Sequence, residues 1–218
     1  ILFVQNDAGM RWQFAVLFPM AQLGVRPSEQ THLLIEDCDP SCDTVRIRSK
    51  PELSWSVKTR HDRAVPAFDE TRDVFRWIIG VRPAGLIFRR RRFLDGSQPP
   101  LADRDRSALH AEFERRCRGC ETQQGHALDR QQRGRLAAEV WRDAGRMRNS
   151  RLRDEFMTIT RKIGLPHVTC VKTLRHSFAT LLQDANVDPL IRQLLLGHAP
   201  RRSFFFYGEP ATTAIYTT

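Results

Sequence analysis

The sequence predicts a mixed α/β fold that is mainly α-helical and carries a small three-stranded antiparallel sheet. Two patterns predict it. Apolar residues recur at helical spacing in several separate segments, of which Asp69 to Ile79 and Arg151 to Ile163 are the clearest. Three short runs instead alternate or stay extended. Thr44 to Arg48 puts Val45 and Ile47 on one face, Leu53 to Val57 alternates through Trp55, and Ala64-Val65-Pro66 completes the sheet. At 218 residues the chain is long enough to bury a full core.

In chain order, Trp12 to Leu23 predicts a buried helix that Pro19 must kink or divide. Gly24-Val25-Arg26-Pro27-Ser28-Glu29 then forms a turn that opens the next helix, with Ser28 and Glu29 in its first turn, where negative charge is favoured. After the sheet, the Asp69–Ile79 helix turns Val74, Phe75, Ile78 and Ile79 inward. Leu86-Ile87-Phe88 is a short buried run beside the basic cluster Arg89 to Arg92, which is either a solvated face or a phosphate contact. Residues 94–149 read as a charged insertion with helical patches at Ala108 to Arg116 and Leu136 to Ala144. Within it His110, Cys117, Cys120 and His126 include a Cys-x-x-Cys, but the spacing fits no standard zinc finger and no metal is expected. The Arg151–Ile163 helix, with Leu152, Phe156 and Ile159 inward, leads through Gly164-Leu-Pro166 to the next unit.

That unit, Lys172 to His198, predicts two short helices joined by a tight turn. Leu174, Phe178, Leu181 and Leu182 form the apolar stripe of the first, leaving Arg175 and His176 on its border. Asn186 suits the left-handed residue that ends a helix, Asp188 suits the cap of the next, and Pro189 suits its first position. Leu190, Ile191, Leu194 and Leu195 are expected to bury the second helix, and Gly197 to stop it. His198 is thereby presented just past a helix end, at a fixed distance from Arg175.

Lys+Arg number 35 against 25 Asp+Glu, a formal charge of +10 carried almost wholly by arginine. Such a balance suits a polyanion partner, because each phosphate neutralised by a cation releases condensed counterions. Five cysteines, an odd number, argue for a reducing, cytoplasmic compartment. No signal peptide and no apolar run long enough to span a bilayer is present, so no membrane partner is expected.

At Leu174-Arg175-His176-Ser-Phe-Ala-Thr and Leu196-Gly197-His198 the sequence resembles the tyrosine recombinases, or phage integrases. These stretches are similar to that family's second-arginine box and its downstream histidine. Gly24-Val-Arg26-Pro-Ser-Glu29 is similar to the first-arginine box, Val57-Lys58-Thr59 to the β-hairpin lysine, and Arg63-Ala-Val-Pro66 to the strand after it. Ala211-Thr-Thr-Ala-Ile-Tyr216-Thr-Thr is similar to the nucleophile box. The resemblance implies the tyrosine recombinase catalytic-domain fold over residues 1–218 as one domain. It also implies that the chain is a fragment, lacking an upstream DNA-clamping domain.

The implied chemistry is attack of a tyrosine oxygen on a DNA phosphodiester, giving a 3′-phosphotyrosine and a free 5′-hydroxyl, without metal or other cofactor. Arg26 and Arg175 would hold the non-bridging oxygens, with His198 as a further hydrogen-bond donor. Lys58 would protonate the leaving 5′-oxygen, since an ammonium can give up a proton where a guanidinium cannot. Lys172 stands where the family usually has a histidine and can donate a proton or bind phosphate. Tyr216 is the implied nucleophile. In many members the tyrosine lies nine residues after the histidine, which here is Tyr207, whereas Tyr216 lies eighteen residues on. The local box favours Tyr216. The implied partners are double-stranded DNA and further copies of the chain, as a tetrameric synapse in the full-length form. The alternative reading is a non-catalytic DNA-binding protein, either a degenerate integrase or a helix-turn-helix regulator.

Overall fold

The structure, a computed structural model, describes residues 8–93 and 97–198. Among them are eight α-helices and one two-stranded sheet. The first helix, α1 (Arg11–Leu23), is apolar almost all round and accordingly lies in the core, packed against three later helices. It runs through Pro19 as a single element and ends at Gly24, whose left-handed backbone (φ 58°) closes it. A single turn, α2 (Pro27–Gln30), follows.

Strands β1 (Thr44–Ile47) and β2 (Arg63–Pro66) pair antiparallel, Val45 opposite Val65 and Ile47 opposite Arg63. The expected third strand at Leu53 to Val57 is a turn instead. Pro51 has a fixed φ and no N–H to give a ladder, and Pro51–Leu53 forms a 3-10 turn. Ser54 is left-handed at φ 52°, and only Lys50 and Trp55 form a bridge. The alternating burial of Leu53 and Val57 is real, but a turn produces it.

Inside that turn, Lys50 is buried and donates to Asp37 at 2.8 Å. Asp37 also accepts from Arg48 and from the backbone N–H of Leu34, so the buried carboxylate is fully compensated. His32 is stacked on Trp55 with ring centroids 4.5 Å apart, and its Nδ1–H donates to the Ser28 carbonyl at 2.6 Å.

Helix α3 (Asp69–Ile79) packs on α1. Leu86, Ile87 and Phe88 are fully buried, as their run predicts. Helices α4 (Arg106–Gln124) and α5 (Arg130–Asp143) form an antiparallel pair, each capped by an aspartate, Asp105 and Asp129. Leu109, Phe113, Val140 and Trp141 from this pair share one apolar cluster with Leu34, Leu53 and Leu86, and Trp141 Nε1 donates to the Leu53 carbonyl at 3.1 Å. Cys117 lies within that cluster, fully buried, and its neighbours there are apolar. No group of three or more metal-ligating side chains is gathered among the described residues. Likewise none of their helices is long and apolar enough to cross a membrane.

Helix α6 (Asn149–Lys162) buries Leu152, Phe156 and Ile159, as predicted. The last two helices, α7 (Lys172–Asp184) and α8 (Pro189–Leu196), match the predicted unit. Asn186 is left-handed (φ 53°), Asp188 accepts from the N–H groups of Leu190 and Ile191, and Gly197 is left-handed at φ 63°. The apolar stripe is narrower than expected. Phe178, Ala179 and Leu196 are buried, whereas Leu181, Leu190, Ile191 and Leu194 are 40–60% exposed. Helix α7 packs on α1, and α8 meets α7 and β2, which leaves the outer apolar residues without a described neighbour to cover them.

Burial first, then the charge of Arg146, lowers the His32 pKa to about 3, against the raising effect of its bond to Ser28. The unfolded chain takes up this proton near pH 6.5 and the folded chain only near 3. Stability is therefore whole above pH 6.5 and is lost as pH falls through that window. In urea titrations at pH 7 and pH 5 the unfolding midpoint should fall at the lower pH, and fall less in His32→Phe. An equal fall in both proteins would mean that His32 is not held neutral.

Candidate active site

One cleft of about 670 Å³ lies between the start of α2, the start of α6 and the start of α7. Arg26, Lys58, Lys172, Arg175 and His198 all line it. Five residues spread over most of the described chain are thus brought to one cavity. Tyr207 and Tyr216 lie outside the described residues.

Each cation is placed by a local device. Arg26 precedes the α2 turn, and its backbone N–H and Nη1 both donate to Glu29, each at 2.8 Å. The carboxylate that caps the turn therefore also orients the guanidinium. Arg175 sits one turn into α7 with its side chain buried. Its Nη1 donates to the carbonyl of Gly24 and its Nη2 to the carbonyl of Leu196. These are carbonyls at the C-terminal ends of α1 and α8, where partial negative charge collects. Lys58 and Lys172 reach the cleft from solvent-exposed positions.

His198 Nε2 lies 3.3 Å from Arg175 Nη2. A guanidinium only donates, so Nε2 is the acceptor and the ring proton is on Nδ1. Burial, followed by the charges of Arg175, Arg26 and Arg63, lowers the His198 pKa to about 4, so the ring is neutral near pH 7.

Arg63 is the residue that sequence reasoning left without a role. It opens β2, and its Nη2 donates to Glu29 at 2.7 Å while its Nε donates to the Leu195 carbonyl at 2.9 Å. One buried carboxylate is thus shared by two arginines. Burial raises the Glu29 pKa, but the bonds and charge of Arg63 together with the bonds from Arg26 outweigh it, and the net shift is downward. No local pattern marks Arg63, because its partners lie 34 and 132 residues away. Asn149, Arg153 and His176 also line the cleft.

Two glycines set the tolerances. A Cβ on Gly24 would lie 2.2 Å from the Phe178 ring, and one on Gly197 would lie 2.6 Å from Arg63 Nη1. Both residues have positive φ, so a side chain there is strained as well as crowded. The helix ends that hold Arg175 can meet only because these positions lack side chains.

The chain belongs to the phage integrase family, whose sequence model matches residues 3–213. No curated protein matches it. Among solved structures it is similar to the Tn1549 transposon integrase in complex with transposon right end DNA, with a TM-score of 0.58 and 18% identity. That alignment covers 98% of this chain and 60% of that one. A second structure of the Tn1549 integrase, in complex with a circular intermediate DNA, gives a TM-score of 0.49 at 15% identity over the same shares. The first likeness is one of fold, and this chain spans about 60% of the length of the integrase chain it matches.

Gly24→Ala should lower the unfolding free energy by about 2 kcal/mol or more, the sum of left-handed strain and overpacking. Gly125→Ala is the control, since Gly125 is also left-handed (φ 71°) but has nothing within 4 Å, and it should cost about 1 kcal/mol. Equal losses in urea titrations would show that Phe178 is not held against Gly24.

Proposed function

We propose that this chain is the catalytic part of a site-specific recombinase that cuts and rejoins duplex DNA through a 3′-phosphotyrosine. The observation that carries this reading is the convergence of Arg26, Arg175, His198, Lys58 and Lys172 on one cavity. Family membership supports it.

The difficulty in phosphodiester exchange is charge. The transition state gathers negative charge on its non-bridging oxygens, and donors already fixed in place stabilise it without reorganising. Arg26 and Arg175 suit that task because carboxylate and carbonyl partners hold both guanidiniums before DNA arrives. Neutral His198 adds a hydrogen bond without adding a charge that would compete with the arginines. Tyr216 would supply the nucleophilic oxygen, giving up its phenolic proton to solvent, since the cations lining the cleft would favour the ionised form. As its oxygen bonds to phosphorus, the bond to the 5′-oxygen breaks and Lys58 delivers the proton that oxygen needs. Lys172, at the start of α7, is a second ammonium that can donate a proton or hold the phosphate. The phosphotyrosine keeps the free energy of the broken bond, so a second strand's 5′-hydroxyl can reverse the step. The full-length protein would act as a tetramer across two duplexes.

The test is a nicked suicide duplex carrying the element's own site, incubated with the full-length protein and analysed for a covalent adduct that survives denaturation. An adduct should form, persist in Tyr207→Phe and vanish in Tyr216→Phe. Arg26→Ala should slow its formation by roughly 10²- to 10³-fold. An adduct lost only in Tyr207→Phe would reassign the nucleophile. No adduct at all would leave a DNA-binding protein without strand-cutting activity.

A further inference from the structure

A second groove, of about 460 Å³, lies on the far side of the first turns of α6. Arg90, Arg91, Arg92, Arg142, Arg146 and Arg148 line it, and Arg90 Nη2 donates to the Arg142 carbonyl. Arg151 joins them, and Glu139 is the one carboxylate among the lining residues. Arg142 pairs with Asp143, and Arg151 with Glu155. Among the described residues no carboxylate lies within ion-pair distance of Arg90, Arg91, Arg92, Arg146 or Arg148. The Nε atoms of Arg90 and Arg146 are buried and meet no acceptor among the described residues. Burial, and after it the neighbouring arginines, lowers the pKa of both side chains. So many like charges in one groove work against folding, as unpaired buried donors do, and an anionic ligand would relieve both.

Helix α6 connects this groove to the cleft. Asn149 and Arg153 line the cleft while Arg148 and Arg151 line the groove, so one short stretch of helix walls both. An α-helix with its side chains is roughly 10–12 Å across, so about one helix width separates the two sites. Along the duplex axis that is about three base-pair steps, at about 3.4 Å each.

We infer that the arginine groove is a second seat for the DNA backbone, gripping by charge and without reading sequence the same duplex whose phosphodiester lies in the cleft. This rests on the proposed action on duplex DNA. The groove is where the basic cluster after Phe88, whose sequence fits a solvated face or a phosphate contact, meets the strand leaving the cleft.

The test uses Arg91→Gln/Arg92→Gln/Arg148→Gln, three exposed positions where substitution spares the core. Binding of fluorescent duplexes to the whole chain is followed by anisotropy across a salt series, with thermal unfolding to check the fold. The triple variant should bind at least tenfold more weakly at moderate salt, equally for site-containing and random duplexes, and its log–log salt slope should be shallower by about 3. A duplex too short to leave the cleft should bind both proteins alike, and a saturating suicide duplex should give the adduct at the unaltered rate. An unchanged salt slope, or a loss confined to the site-containing duplex, would overturn the proposal. Absence of the adduct from both proteins would count against the proposed function, while the salt slope would still decide on the groove.

Discussion

The site depends on one buried guanidinium. Arg175 is tied at once to the last carbonyls of two helices that are far apart in sequence, Gly24 after α1 and Leu196 in α8. A buried cation needs acceptors that cannot move away, and helix ends supply carbonyls already short of partners. The same bonds fix the spacing of three elements, so the charge and the scaffold that holds it are set by one interaction. Gly24 and Gly197 make the approach possible by leaving room for Phe178 and Arg63.

Around that centre the structure keeps positive charge in excess and spends few carboxylates. Glu29 serves Arg26 and Arg63 together, while Lys58 and Lys172 stand at the rim. An arrangement that puts like charges together without full compensation is poor for stability and suited to a ligand that brings its own negative charge. His198 is held neutral first by burial and then by the surrounding arginines, which disfavour a further cation. The arginine groove beyond α6 repeats the pattern with fewer partners.

What the sequence disclosed was what backbone chemistry decides locally. Asn186, Asp188, Pro189 and Gly197 each answer to a specific dihedral or capping need, and the two helices they bound were placed correctly. Arg26 and Glu29 are three residues apart and could be paired on spacing alone. What stayed hidden was settled by distant neighbours. The run through Trp55 alternates like a strand, yet Pro51 and Ser54 turn it. Leu181, Leu190 and Leu194 have core spacing yet are exposed, because which apolar face is covered depends on what packs there. Residues 94–149 read as a charged insertion, and nothing in their pattern shows that Phe113 and Trp141 share a cluster with Leu34, Leu53 and Leu86. Charged helices with weak amphipathicity do not announce such a contact.

The central claim is that two guanidiniums from distant parts of the chain hold a single phosphodiester. The most direct measurement is a crystal structure of the full-length protein on a nicked duplex containing its site. The account predicts one phosphate whose non-bridging oxygens lie about 3 Å from the guanidinium nitrogens of both Arg26 and Arg175. A duplex seated so that no phosphate reaches both arginines would contradict it.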